Sequence, residues 1–146
     1  MVRRVDEAFY GIRAIEICED LMVPQPCSSE LAMLGAEVIL NPAASHSLVG
    51  KAAYRRNLVQ NQSAACSCIY AFAGAGCTES TTDMVYSGHS VIAQNGKLLA
   101  DNGNVADSDY LLVTDVDLGV LAARDLLDYA WGKATDDATY IGTLEG

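Results

Sequence analysis

The stretch Ala14-Ile15-Glu16-Ile17-Cys18-Glu19-Asp20 organises the rest of the chain. Its apolar and polar residues alternate as in a β-strand, and Pro24 and Pro26 exclude a helix that continues beyond it. We therefore predict a short strand that ends at a cysteine flanked by two carboxylates. A rigid strand end holds a side chain in place while solvent still reaches it, which suits a nucleophile. The alternative is that Cys18 is a small buried core residue, since free cysteines are often buried.

Length and composition indicate a globular protein that folds as a single domain over residues 1–146. The chain has 146 residues, of which 51% are hydrophobic and 19% are charged, and it carries a net charge of −10. This acidity disfavours nucleic acid as a partner, and without a lysine and arginine cluster we also expect no anionic membrane partner. Since the sequence shows neither a signal peptide nor an apolar run long enough to cross a bilayer, we expect a cytoplasmic protein.

The cysteines and histidines match no pattern that holds a metal or a disulfide framework. The five cysteines are an odd number, and the close pair Cys66 and Cys68 is interpreted as part of the core. In the cytoplasm such thiols stay reduced. His46 is either a residue beside a ligand or a solvated loop residue, whereas His89, at the start of a predicted strand, is expected to be structural. The sequence therefore predicts no metal site.

A helix and a second strand are predicted after the opening stretch. The helix is expected to have Ser28 or Ser29 as its N-cap and Gly35 just after its end. The strand covers Glu37–Leu40 and is stopped by Asn41-Pro42. A strand, a helix and a strand within so few residues indicate a βαβ-like unit with neighbouring parallel strands.

The middle of the chain predicts a long helix over about Lys51–Ser67 and a short strand over Ile69–Ala73. Arg55 and Arg56 on this helix are expected to form surface ion pairs, with contact to a partner domain as the alternative. One face of the helix is expected to face the core, with a single polar exception, Gln62: its positions are Ala52, Leu58, Val59, Gln62, Ala65 and Cys66.

The last third begins with the strongest hairpin signal of the sequence. The runs Val91–Gln94 and Lys97–Ala100 flank Asn95-Gly96, the dipeptide most typical of a two-residue hairpin turn. A strand over Tyr110–Asp115 and a helix over Leu118–Tyr129 are predicted to follow. The fold class is therefore α/β mixed with α+β, a sheet layered against helices.

Together these segments resemble the glutaminase domain of glutamine-dependent NAD synthetases, a branch of the nitrilase, or carbon–nitrogen hydrolase, superfamily. The likeness runs from about residue 11 to residue 117, and the blocks Tyr54-Arg55-Arg56 and Glu79–Asp83 point to the NAD synthetase branch. One departure is Cys77-Thr78, which lengthens a loop where the family passes directly from glycine to glutamate. The matching stretches, in the family's order, are 15–21, 35–45, 50–56, 62–66, 79–83, 87–89 and the Asn95-Gly96 hairpin.

The resemblance implies an αββα sandwich and a cysteine-based hydrolysis. In that chemistry the thiolate of a Glu-Lys-Cys triad attacks the side-chain amide of glutamine, expels ammonia for NAD synthesis and forms a thioester that water hydrolyses. Cys18 matches the position of the nucleophile. Glu19 is implied to lie beside the substrate, and Ser45 and Lys51 to bind the amino-acid end of glutamine. No cofactor is implied for this domain, because ATP would belong to a synthetase domain that is absent from the sequence.

The glutamate and lysine of the triad cannot be assigned, since in the family both lie well upstream of the nucleophile. Only 17 residues precede Cys18, and they contain no lysine and, before Glu16, a single glutamate, Glu7. The chain is therefore expected to be a fragment, the C-terminal half of the domain, that forms a half or remodelled sandwich. Without a neighbouring cation Cys18 is expected to react slowly at neutral pH, so that the isolated chain would be inactive.

Three functional interpretations stay open. The first is the glutamine amide hydrolase of an NAD synthetase, with glutamine as substrate and the synthetase domain as partner. The second is a non-catalytic assembly or interaction module, and the third is another amidase of the nitrilase family. A halved sandwich would expose a sheet face and a strand edge, so we also expect self-association into a homo-oligomer.

Overall fold

The computed structural model of the chain describes residues 12–103, 110–117 and 119. The chain divides into two compact units, Met1–Val116 and Asp117–Gly146. In the second unit the described residues are Asp117 and Gly119, and the Gly119 N–H donates to the Asp117 side chain at 2.9 Å. The helix predicted over 118–129 otherwise lies outside the described residues, and the single domain stays a prediction.

The first unit contains two α-helices and one five-stranded sheet in its described part. The elements are β1 (Ile12–Ile15), α1 (Cys27–Met33), β2 (Ala36–Ala43), α2 (Lys51–Ala65), β3 (Ile69–Gly74), β4 (Ser90–Gln94) and β5 (Lys97–Asp101), with short 3-10 helices at Cys18–Leu21 and Cys77–Glu79. The sheet order is β1-β2-β3-β4-β5. The first three strands are parallel, and the β3–β4 and β4–β5 pairs are antiparallel. The predicted mixed α/β class is confirmed.

Both helices lie on one face of the sheet. Each helix joins neighbouring parallel strands in the same direction along the sheet, and such crossovers are almost always right-handed. The helices also contact each other, because Gln62 Nε2 of α2 donates to the hydroxyls of Ser28 (2.9 Å) and Ser29 (3.1 Å) of α1. The described residues thus form one helix layer on one sheet, which corresponds to half of an αββα sandwich.

The core lies between the helices and the sheet face that they cover. Alternate residues of β2, β3 and β4 are almost fully buried there together with one residue of α2: Ile39, Tyr70, Phe72, Val91, Ala93 and Val59. The other face carries a row of apolar residues in register across the five strands: Ile15, Leu40, Ala71, Ile92 and Ala100. Ile15 is 63% exposed, and the other four are half-buried. The sheet therefore has one tightly packed face and one apolar face that is only partly covered.

Two turns follow the predicted local chemistry. Asn95 and Gly96 both have positive φ (49° and 83°), as a type I′ turn between β4 and β5 requires. Gly35, which comes just after α1, has a φ of 97° and so takes the left-handed conformation typical of a residue that follows a helix. The hairpin and the glycine after the helix are confirmed.

The predicted N-cap of α1 is wrong. The helix begins at Cys27 with Pro26 as its N-cap, and no side chain of the cap bonds to it. Ser28 is instead a buried residue of the first turn, and its N–H donates to the carboxylate of Glu16 at 2.6 Å. A side chain from another element therefore satisfies the start of this helix, which the local sequence pattern could not indicate.

The predicted end of β2 is also wrong, since the strand continues through Asn41-Pro42 to Ala43. The pairing of β1 with β2 ends at Ile15 and Leu40, so β2 has no strand neighbour on that side beyond Leu40. Proline, which lacks an N–H, is tolerated at such an edge.

The strand predicted over Tyr110–Asp115 does not form, because residues 110–117 have no regular secondary structure. Leu111 and Val113 are 65% and 73% exposed. Alternation of apolar residues favours an extended chain, but a strand also needs a neighbour for its backbone hydrogen bonds. In the described residues the sheet ends at β5.

The buried face of α2 is more polar than predicted. Its buried residues are Arg55, Val59 and Ser63, whereas the predicted core residue Ala65 is exposed. Arg55 is only 1% exposed, so the expectation that it forms a surface ion pair is wrong.

The substitution Gly74→Ala is expected to destabilise the fold by about 1–3 kcal/mol. A Cβ at Gly74 would lie far inside van der Waals contact with the carbonyl oxygen of His89, which is backbone and cannot rotate away. Gly76→Ala is the matched control, since its Cβ would meet only the Thr78 hydroxyl at 3.7 Å. Urea unfolding measures both variants, and equal stability of the two would contradict this assignment.

Candidate functional site

The candidate site lies at the edge of the sheet where the three parallel strands end. Ligands of open α/β sheets bind outside the carboxyl ends of the strands. The loops that follow β2 and β3 are held together there by backbone bonds, from the Ala75 N–H to the Ala43 carbonyl (2.8 Å) and from the Gly88 N–H to the Ala75 carbonyl (2.9 Å). A further bond runs from the Ser47 N–H to the Val85 carbonyl at 2.7 Å.

Cys18 lies three residues beyond the end of β1 and is half-buried. The strand stops at Ile15, so the prediction that the strand itself reaches the cysteine is wrong. Cys18 is the first residue of a 3-10 helix, and its φ is +51°. This left-handed conformation is uncommon outside glycine and often marks a functional site.

The side-chain amide of Asn41 binds both backbone groups of Cys18. Asn41 Oδ1 accepts the Cys18 N–H at 2.9 Å, and Asn41 Nδ2 donates to the Cys18 carbonyl at 3.3 Å. Asn41 is fully buried. β2 therefore holds the backbone of the cysteine in its left-handed conformation.

Asn41 continues into a buried polar chain that ends at Glu16. Its Nδ2 also donates to the hydroxyl of Tyr70 at 3.0 Å, and Tyr70 in turn donates to Glu16. Burial, and then the hydrogen bond to Glu16, raise the pKa of Tyr70, so this hydroxyl stays protonated. Glu16 is 2% exposed, whereas its neighbours Ile15 and Ile17 are each 63% exposed. The strand alternation thus places the carboxylate, and not the isoleucines, in the protein interior.

A second buried cluster is centred on Arg55. Its Nε donates to His89 Nδ1 at 3.1 Å, and its Nη2 donates to the Ser87 hydroxyl at 3.3 Å. Its Nη1 donates to the Ser45 hydroxyl (3.2 Å) and to the His46 carbonyl (3.3 Å). Arg55 therefore holds the loop after β2 in place through its bonds to Ser45 and His46. Burial lowers the pKa of Arg55, but a guanidinium stays charged.

In the part of the chain that the structure describes, hydrogen bonds connect Arg55 to a carboxylate, that of Asp101, through the ring of His89. Because His89 Nδ1 accepts from Arg55, the neutral ring carries its proton on Nε2, 3.0 Å from Asp101 Oδ1. Burial lowers the pKa of His89 and outweighs the opposing hydrogen bond and charge of Asp101, and the two arginines add smaller effects that also lower it. Burial alone would raise the pKa of Asp101, but hydrogen bonds from Arg56, the Gly103 N–H and His89 lower it below its usual value. His89 is structural, as predicted.

The predicted site residues are spread over this edge of the sheet. Glu19 is exposed and follows Cys18 in the same 3-10 helix. Ser45 is 8% exposed and lies two residues after β2, so it and Cys18 follow neighbouring parallel strands. Lys51 is half-buried at the start of α2, with its ammonium 4.7 Å from the ring centre of Tyr54. In residues 12–103 no hydrogen bond or ion pair joins the side chains of Cys18, Ser45 and Lys51 directly.

The local sequence pattern did not indicate the residues that hold these side chains. The alternation around Glu16 predicted a strand but not which of its faces is buried, and Arg55 was expected to form a surface ion pair. Asn41 carried the one usable signal, a polar residue at the end of a buried apolar strand.

The remaining cysteines show no sign of a second site. None of the five forms a disulfide, all of them lying in residues 12–103, and Cys66 and Cys68 are buried, as predicted for core residues. Across the described ranges no group of three or more histidine, cysteine, aspartate or glutamate residues could hold a metal ion. The helices described here are too short or too polar to cross a lipid bilayer.

Sequence comparison finds one family that covers most of the chain. The family described as "Carbon-nitrogen hydrolase" matches residues 6–124. A glutamine-dependent NAD(+) synthetase of Mycobacterium leprae is 40% identical over 112 residues, which are 77% of this chain and 16% of that protein. The chain therefore spans about a sixth of the length of this relative.

Structural comparison finds the same group of folds. A glutamine-dependent NAD(+) synthetase from Cytophaga hutchinsonii matches with a TM-score of 0.57 and 32% identity, over 70% of this chain and 16% of that one. Saccharomyces cerevisiae Nit3, a member of the nitrilase superfamily, matches with a TM-score of 0.60 and 20% identity, over 78% of this chain and 41% of that one. The second match bears on the fold alone.

Proposed function

Because this chain belongs to the carbon–nitrogen hydrolase family, we propose that it supplies the nucleophile, Cys18, for hydrolysis of the side-chain amide of glutamine. The ammonia released would serve NAD synthesis, as the names of the similar synthetases suggest. A single observation carries the proposal. Cys18 follows the first parallel strand in a left-handed conformation that one buried carboxamide fixes through both backbone groups.

The chemistry proceeds in two steps. The Cys18 thiolate attacks the amide carbon of glutamine and forms a C–S bond, and the C–N bond then breaks as the nitrogen takes up a proton and leaves as ammonia. Water attacks the resulting thioester, which releases glutamate and restores the thiol. The first step needs a general acid for the leaving amine, and the second needs a general base for the water. Neither step needs a cofactor.

We propose that the residues around the loop after β2 recognise the substrate. The Ser45 hydroxyl accepts from Arg55, and this leaves its own O–H as a donor toward a ligand. Lys51 would pair with the α-carboxylate of glutamine as a point charge. Glu19 would lie beside the substrate. The residue types suit an amino acid, which carries one carboxylate and one ammonium group.

The general acid and base are proposed to come from outside the stretch 12–103. The sequence before Cys18 contains no lysine, so the isolated chain is expected to turn over glutamine slowly or not at all. We also propose that the chain works beside a synthetase domain, to which ATP would bind, and in the cytoplasm, where its five cysteine thiols would stay reduced.

Cys18 is expected to be the residue that a glutamine-shaped electrophile alkylates. The probe is a chloromethyl ketone that carries the amino-acid end of glutamine, and the sulfur forms a bond to its terminal carbon as chloride leaves. Intact-mass analysis at neutral pH is expected to show one adduct per chain, which peptide mapping assigns to Cys18 and which Cys18→Ala abolishes. Exposed Cys27 is the internal comparison.

Competing ligands distinguish the alternatives in the same experiment. Protection of Cys18 by L-glutamine, but not by a simple amide such as propionamide, supports a glutaminase. Protection by propionamide alone indicates another amidase of the family. Adducts spread evenly over all five cysteines would show that Cys18 has no formed site.

A second candidate function, assembly into a homo-oligomer, is favoured by the apolar row on the partly covered sheet face. Ile15, Leu40, Ala71, Ile92 and Ala100 form it in register. Two copies of such a row could pack face to face, as sheets do in a sandwich. Light scattering that shows a clean monomer at high concentration would exclude this candidate.

A further inference from the structure

We infer that Glu16 and Tyr70 are positioning residues for the Cys18 thiol and that they act through Asn41. The inference deepens the proposed function and rests on Cys18 as its nucleophile. In residues 12–103 neither residue forms a hydrogen bond with the thiol itself. Both set the direction of the hydrogen bonds that hold the backbone from which the thiol projects.

The buried carboxylate of Glu16 fixes the direction of the whole chain of hydrogen bonds. Both side-chain oxygens of Glu16 accept, because Oε2 receives the Ser28 N–H at 2.6 Å and Oε1 receives the hydroxyl proton of Tyr70. The Tyr70 oxygen then has only lone pairs left, and these accept from Asn41 Nδ2 at 3.0 Å. The carboxamide of Asn41 therefore cannot flip without placing its oxygen against the oxygen of Tyr70.

This fixed carboxamide matches the two backbone groups of Cys18. Oδ1 faces the Cys18 N–H at 2.9 Å, and Nδ2 faces the Cys18 carbonyl at 3.3 Å. A flipped carboxamide would set a donor against the N–H and an acceptor against the carbonyl. A left-handed conformation in a residue other than glycine costs about 1–3 kcal/mol and persists only where its surroundings hold it. The direction set at Glu16 thus determines where the thiol points.

The burial of these residues supports a role of this series of hydrogen bonds in holding the backbone of Cys18. Glu16, Asn41 and Tyr70 are each at most 2% exposed. An apolar trio of similar volume would give the core the same packing without the desolvation cost of a carboxylate. The three polar groups come from the residue just after β1, from β2 and from β3, and hydrogen bonds join them to one another and to the backbone of Cys18.

The test compares Tyr70→Phe, Glu16→Gln and the double variant. Tyr86→Phe is the matched control, because it removes a tyrosine hydroxyl that does not belong to this series of hydrogen bonds. The first measurement is hydrogen exchange at the Cys18 amide. The second is the rate of Cys18 alkylation by the chloromethyl ketone, expressed per folded molecule. Tyr70→Phe is expected to speed exchange at Cys18 and to slow alkylation about tenfold, because small displacements of a reacting group cost that much or more.

Glu16→Gln is also expected to speed exchange and slow alkylation at Cys18. A glutamine side chain can donate to the Tyr70 hydroxyl as well as accept from it, so the hydrogen bonds to Asn41 could then run in either direction. If the residues act through one another, the double variant reacts no slower than Tyr70→Phe alone. The inference is overturned if Tyr70→Phe matches Tyr86→Phe in both measurements, or if the two single effects multiply in the double variant. Should Tyr70→Phe fail to fold, exchange at the Cys18 amide in Glu16→Gln decides the question.

The two measurements also separate this inference from the proposed function. If the ketone shows no preference for Cys18 over Cys27 in the unaltered protein, the proposed glutaminase site fails. Amide exchange needs no substrate, so it still reports whether Glu16 and Tyr70 hold the backbone of Cys18.

Discussion

Replacement of Arg55 by leucine is expected to lower the free energy of unfolding by about 3–5 kcal/mol, because it leaves several buried acceptors without a donor. Arg55 is 1% exposed, and its guanidinium donates to four acceptors, on Ser45, His46, Ser87 and His89. A leucine fills most of the volume but donates nothing. Each acceptor left without a donor then keeps its desolvation cost.

Arg56→Leu is the matched control for this prediction. Arg56 is the next residue on the same helix, and its side chain is 32% exposed where it pairs with Asp101. Such a pair contributes up to about 1 kcal/mol. Urea unfolding followed by circular dichroism measures both variants. Because Arg55→Leu can lose the fold altogether, Arg55→Lys is added, and we expect it to lie between the two, since one ammonium cannot reach all four acceptors. Equal stability of Arg55→Leu and Arg56→Leu would contradict the assignment.

The contrast between these two arginines shows what the sequence could not indicate. They are adjacent, and a helical pattern places them on neighbouring faces, but nothing local distinguishes them. The partners of Arg55 come from the loop after β2 and from residues 87–89. A charged residue is buried only when such partners surround it, so its burial depends on the tertiary structure.

The same argument explains the opening stretch of the chain. Alternation correctly indicated extended backbone around residue 15, but it did not decide which face enters the interior. Glu16 faces inward because the Ser28 N–H and the Tyr70 hydroxyl bond to it there. Hydrophobicity alone favours the opposite choice, with Ile15 and Ile17 inside.

Features decided by a few adjacent residues were predicted well. The Asn95-Gly96 turn needs two positive φ angles, which these two residues adopt more readily than others. The parallel arrangement of β1, β2 and β3 follows from the short connections through helices. The roles of Cys18, Glu19, Ser45 and Lys51 come from the family resemblance, and the alkylation experiment is what tests them.

The acid sensitivity of the fold is expected to arise largely at His89. The groups that face this ring are Arg55 and Arg56 of α2 and Asp101 of β5. Burial holds the pKa of His89 below its usual value against the opposing effect of Asp101, and the two arginines lower it slightly further. Protonation of Nδ1 would place an N–H against the N–H of Arg55 Nε, which now donates to it. Low pH is therefore expected to break the hydrogen bond between Arg55 Nε and His89 Nδ1.

The free energy of unfolding is expected to fall as the pH drops below about 6.5, the usual pKa of histidine in an unfolded chain. In that range the unfolded state binds a proton that the folded state does not, so stability decreases by up to about 1.4 kcal/mol per pH unit until the lowered pKa is reached. Asp101 adds a loss of the same sign below about pH 4, because its pKa is also lowered in the folded state.

Urea unfolding at a series of pH values measures how steeply the free energy of unfolding depends on pH. His89→Gln is expected to flatten it between about pH 6.5 and 5, since a glutamine can accept from Arg55 and donate to Asp101 without titrating. The chain has two histidines, so His46→Gln is the matched control and should keep the slope. An unchanged slope in His89→Gln would show that the ring of His89 is not the group on which acid acts.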